Sequence, residues 1–97
     1  MNRLVLRPEV SNDIRSAAFW YDERQVGLGR RFLAEVDHVF ERVTENPAQF
    51  PRIEDHVRRA LLRKYPYAVY FVFDRDQVTI LAVLHCRRDP SGWRTRQ

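Results

Sequence analysis

The hydrophobic period of this chain changes near residue 50, and that switch constrains the fold more than any other feature. From Glu9 to about Arg24 the apolar residues Val10, Ile14, Ala17, Ala18 and Tyr21 recur every three or four positions, with Asp13, Arg15, Asp22 and Glu23 on the other faces. Such spacing predicts an amphipathic helix. Gly27 and Gly29 interrupt the pattern. Leu28, Phe32, Val36, Val39, Phe40 and Val43 then resume it as far as Asn46-Pro47, where proline disfavours continuation. With so short a connection, the two helices are expected to fold back as an antiparallel hairpin whose apolar stripes face one core.

Beyond residues 47–51, a proline-bounded loop pinned by Phe50, the period drops to two. Residues 57–64, 67–73 and 78–85 read as strands, with Asp74-Arg75-Asp76-Gln77 as a hairpin turn, so the second half predicts a three-strand antiparallel meander. Alternation places Val78, Ile80, Ala82 and Leu84 on one face of the last strand and Leu81 and Val83 on the other. That strand is therefore expected in the interior of the sheet. At the other end of the chain Leu4-Val5-Leu6 marks a strand over residues 2–7, closed by Pro8 at the first turn of the first helix. The order strand, helix, helix, three strands defines an α+β fold in which the helical hairpin covers one sheet face and leaves the other partly open. A length of 97 residues closes one core and one domain, 1–97. The tail beyond Asp89-Pro90-Ser91-Gly92 is expected to be loosely held.

Charge separates the halves further. Residues 1–50 hold seven Arg against eight acids, whereas residues 51–97 hold nine Arg and one Lys against five, giving −1 and +5. Guanidinium groups grip phosphate and carboxylate in a two-pronged way, so the basic second half points to nucleic acid or an acidic protein as partner. Cys86 is the one cysteine, which rules out an intramolecular disulfide or a multi-thiolate metal site and fits a reducing cytoplasm. The N-terminal apolar run is too short for a signal peptide, and no stretch nears the ~20 apolar residues that span a bilayer. No membrane association is expected, and neither is a cofactor or metal. Glu54, Asp55 and His56 lack the spaced second histidine of a zinc site, and His38 reads as a surface or edge residue.

The residues closest to chemistry end the last strand: His85-Cys86-Arg87-Arg88-Asp89-Pro90, followed by Trp93 and Arg94. Alternation places His85 and Arg87 on one face, within reach of Arg58 or Arg59 and Arg63 on the neighbouring strand. The arrangement reads either as a phosphate-binding or catalytic edge or as a strand leaving the core. For His85 alone the second reading carries more weight.

Several segments, taken in order, carry a resemblance. They are Leu-Arg-Pro opening the first helix, Phe-Trp-Tyr near its end, Gly-Leu-Gly-Arg-Arg-Phe opening the second, Asn-Pro, Phe-Pro, Lys-Tyr-Pro-Tyr-Ala-Val-Tyr-Phe, and Leu-His-Cys-Arg-Arg-Asp-Pro with Trp93. From end to end the chain resembles the RelE/ParE toxin superfamily. The resemblance implies a toxin neutralised by a cognate antitoxin that wraps a flexible segment around it. It also implies a toxin–antitoxin hetero-oligomer that represses its own operon through the antitoxin.

Beside the toxin readings stands a nucleic-acid-binding module unrelated to toxicity; within the superfamily, members divide by target. RelE-like members resemble ribosome-dependent mRNA endoribonucleases, whose chemistry needs a group to take the 2′-proton, cations at phosphorus and a group at the leaving oxygen. Against that pattern Ala68 stands where a mid-strand Arg is expected, and Trp93 stands near the place of a C-terminal Tyr. Arg87 matches, and His85, Arg59 and Lys64 remain as an alternative set. ParE-like members resemble inhibitors of DNA gyrase that need no catalytic group, and Tyr65-Pro66-Tyr67 and Arg87-Arg88-Asp89-Pro90 fit that branch better. On this reading no catalytic residue is expected. The target-binding residues are then Arg87, Arg88, Trp93, Arg94 and Arg96, and Phe19 and Trp20 read either as an antitoxin-binding patch or as part of a wide core stripe.

Overall fold

The computed structural model describes residues 2–97. Strand β1 (Arg3–Leu6) leads into helices α1 (Glu9–Arg24) and α2 (Leu28–Glu45). A single 3-10 turn (Pro47–Gln49) and strands β2 (Arg52–Glu54), β3 (Val57–Leu61), β4 (Tyr67–Asp74) and β5 (Gln77–His85) follow, and a 3-10 helix over Gly92–Arg96 ends the chain. The five strands form one sheet in the order β1-β5-β4-β3-β2, antiparallel except that β1 runs parallel to β5. The expected helical hairpin and meander are present. The meander gains one strand, because Arg52–Glu54 pairs with β3 across a tight turn in which Asp55 takes a positive φ of 50°. Three residues beside two prolines offer too little period for a strand to be read from sequence.

The helical hairpin closes tightly because of its glycines. Gly27 has a φ of 89°, a left-handed conformation that costs little without a Cβ, and a Cβ on Gly29 would lie 2.4 Å from the Ala18 carbonyl oxygen. The Asp22 carboxylate accepts from the Gly27 and Gly29 amides at 3.1 and 2.9 Å, satisfying donors left free where α2 begins. Beneath the hairpin Tyr21, Phe32, Tyr65 and Tyr67 pack edge to face or tilted, with centroids 4.8–6.1 Å apart.

Alternation along β5 is not continuous, which corrects the two-face reading. Tyr70 pairs with Ala82 while Phe71 pairs with Ile80, so Leu81 is an extra residue in a β-bulge. Val78, Ile80 and Val83 therefore face the helices, while Leu81, Ala82 and Leu84 face the opposite side with Val57, Ala68 and Tyr70. β5 is flanked on both sides, by β1 and β4.

The tail is also corrected: it is held firmly. Trp93 is 2% exposed and stacks on Tyr70 at 5.8 Å, and its indole N–H donates to the Pro90 carbonyl at 2.9 Å. The sheet face away from the helices is apolar at this end, and covering it favours docking of the tail over leaving it in water.

Candidate functional site

Two regions hold the residues singled out above: the end of β5 with the tail, and the outer surface of the helical hairpin. At the first, β1 runs out at Leu6, with Arg7 N–H donating to Ile80 O, and the backbone of β5 beyond that point needs other partners. Asp13 on α1 accepts from the Val83 amide at 3.1 Å, and Arg96 donates to the Leu81 carbonyl at 3.2 Å. The two side chains pair with each other through both guanidinium nitrogens, with Asp13 8% and Arg96 17% exposed. This contact raises the Arg96 pKa above its ordinary value, the hydrogen bond to Asp13 outweighing burial.

The proposed target-binding set is thereby divided. Trp93 and Arg96 are turned inward and hold the tail on the sheet, so neither presents an outward anchor. Arg94 is exposed but pairs with Glu54 at 3.1 Å. Arg87 and Arg88 are exposed, and among the described residues neither has a carboxylate partner.

His85 closes β5. Its Nδ1 accepts from the Arg87 and Arg88 amides at 3.1 and 3.2 Å, so the ring caps a turn and Arg87 does not continue the strand beside it. Burial, and after it the Arg88 and Arg87 charges, hold His85 below the ordinary histidine range. Its ring meets Tyr67 edge to face at 5.3 Å. Burial also raises the Tyr67 hydroxyl above its usual pKa, with Arg88 opposing the shift, so Tyr67 is neutral near pH 7.

The alternative catalytic set does not assemble. Arg59 lies opposite Tyr70, on the sheet face that carries Trp93, whereas His85 lies opposite Tyr67 on the helix side. Lys64 sits in the β3–β4 turn, where its amide and that of Arg63 donate to the Glu35 carboxylate. Cys86 stays a thiol, its pKa raised by burial. Among the described residues no cluster of three or more His, Cys, Asp or Glu could hold a metal ion. No helix among the described residues is long and apolar enough to cross a membrane.

On the hairpin, Phe19 and Trp20 diverge. Phe19, 67% exposed, lines an outer groove with Val26 (92%) and Leu33, edged by Arg15 and Arg30. Trp20 turns toward β5 and lies under the Arg24 guanidinium, 3.5 Å from its ring centre. The sequence reading missed Val26 and Leu33 because neither extends a buried stripe, and that is itself the signal: both are large apolar residues off the core period.

The strand, helical hairpin and antiparallel meander define a RelE/ParE-like α+β domain. Residues 4–90 match the family described as the ParE toxin of type II toxin-antitoxin system, parDE, and the chain belongs to that family. It is the toxin component of a ParE/RelE-like toxin–antitoxin system. A solved structure described as the chromosomal ParDE TA system from P. aeruginosa shares the fold. The two align with a TM-score of 0.67 at 19% identity, over 88% of this chain and 96% of that one. No curated protein matches the chain.

Proposed function

We propose that this toxin acts in the cytoplasm by holding DNA gyrase on cleaved DNA, as a bound ligand without catalysis, and that a cognate antitoxin neutralises it. One observation carries the reading: Arg59 and His85, which a nuclease would need together, lie on opposite sheet faces, while Arg87 and Arg88 stand exposed with no carboxylate partner among the described residues. Phosphoryl transfer needs a base and cations converging on one phosphate, and separation by the thickness of a sheet prevents that. Two unpaired guanidinium groups beside a rigid strand end suit recognition of a carboxylate or phosphate. The antitoxin surface is the outer groove of Phe19, Val26 and Leu33, whose arginine edges favour an acidic amphipathic helix.

Expression of the chain without its antitoxin tests this. Growth arrest with an SOS response and covalent gyrase–DNA complexes is expected, and Arg87→Ala with Arg88→Ala should reduce both by at least about tenfold, the loss of one charge-assisted contact. Transcripts cut at the ribosomal A site without DNA damage would instead establish an endoribonuclease. Undiminished toxicity of the double variant would remove Arg87 and Arg88 from the site.

A further inference from the structure

Between the second half of α1 and the end of β5 lies a groove of about 310 Å³ that shares only Arg88 with the function proposed above, lined in part by Trp20, Tyr67, His85 and Arg88. Its chemistry is unusual for a surface cleft. Trp20, 38% exposed, carries the Arg24 guanidinium on its ring at 3.5 Å, and the Arg88 guanidinium lies 5.4 Å from the same ring centre. Arg24 is fixed there by a second bond, from Nη1 to the Trp20 carbonyl at 3.1 Å. Two carboxylates line the groove: Asp13, which is paired with Arg96, and Asp89, which is exposed and lies close to Gly92. Arg24 and Arg88 have no acidic partner among the described residues.

We propose that this groove binds a single strand of DNA, one base stacking on the Arg24–Trp20 platform and the adjacent phosphates pairing with Arg88 and Arg87. Flat π-faces and guanidinium planes accept any base, and cations a few ångströms away track the backbone, which is how strands are held without sequence preference. A duplex keeps its bases stacked inside and cannot use the platform. An acidic peptide would satisfy the cations but leave the aromatic surface without a partner. The inference rests on the gyrase reading only for its setting, since a cleaved complex is where a toxin would meet an unpaired strand. The contact itself is measured without gyrase.

Titration of the full-length toxin with a mixed-sequence 12-nucleotide DNA strand tests the assignment. Trp93 is buried against Tyr70, so a fluorescence change on binding reports chiefly on Trp20. Quenching is expected, with the strand bound at least about tenfold more tightly than a duplex of the same length. Trp20→Ala should weaken strand binding about tenfold, whereas Trp20→Phe should retain most of the affinity and lose the optical signal. Arg88→Gln should lower the slope of log affinity against log salt by about 0.7, one phosphate contact on a single strand. Equal binding of duplex or heparin, or an unaffected Trp20→Ala, would reduce the contact to bulk electrostatics and overturn the proposal. Stronger quenching by a polyglutamate peptide would assign the groove to an acidic protein and overturn it equally. Failure here would leave gyrase poisoning standing, and absence of cleaved gyrase complexes would leave strand binding standing.

Discussion

Asp13 does three things with one carboxylate: it accepts from the backbone of β5, neutralises Arg96 and ties the tail to α1. Removing it leaves a mostly buried guanidinium and a strand amide without partners, so Asp13→Ala is expected to cost about 3 kcal/mol in urea unfolding. Arg94→Ala breaks an ion pair whose side chains are 58% and 44% exposed, and should cost less than about 0.5 kcal/mol. Similar losses for the two variants would deny the edge-capping role. The sequence does not mark the pair: the two residues lie 83 positions apart, Arg96 reads there as an outward target-binding residue, and the helical period sets Asp13 off the apolar face. His85 was legible as a residue leaving the core but not as a cap. In the folded chain it titrates below its unfolded value, so its contribution is complete above about pH 6.5 and is lost as pH falls through the lowered folded value. Urea midpoints at pH 7.5 and 5 should fall further for the wild type than for His85→Asn, which keeps an acceptor and cannot titrate. Parallel losses would show that other groups set the acid limb.

Strand and helix periods gave up most of the elements, and the exceptions have local causes. The bulge at Leu81 inserts one residue and inverts the face of everything after it, which strict alternation cannot register. Gly92–Arg96 has no period at all: its Trp93 is placed by the uncovered apolar face of β4 and β5, a property of the assembled sheet. A tryptophan among four arginines reads as a surface anchor until that face exists. Trp93→Ala should therefore behave as a core truncation, costing about 3–5 kcal/mol and exposing Tyr70 to quenching by acrylamide. A loss below about 1 kcal/mol would return Trp93 to the surface.

At the scale of the molecule, the apolar surface that folding leaves uncovered is uneven. Phe19, Val26 and Leu33 come from α1, the connection and α2, and only the closed hairpin brings them into one groove, so no single segment of sequence displays the patch. A chain of 97 residues has little stability in reserve, and a partner that binds only the folded state adds to it by mass action. With antitoxin at a thousandfold over its dissociation constant the gain is about 4 kcal/mol, which for a domain near this size corresponds to a rise in Tm of roughly 15–30 °C. Phe19→Asp with Leu33→Asp places two carboxylates where an acidic helix would dock. Because both residues are exposed, the free toxin should melt within a few degrees of the wild type, while the increment from antitoxin should fall by more than half. Thermal melts of toxin and complex, each with both sequences, separate the outcomes. An unchanged increment would move the antitoxin to another face, and a large drop in the free toxin would show that these side chains serve the fold.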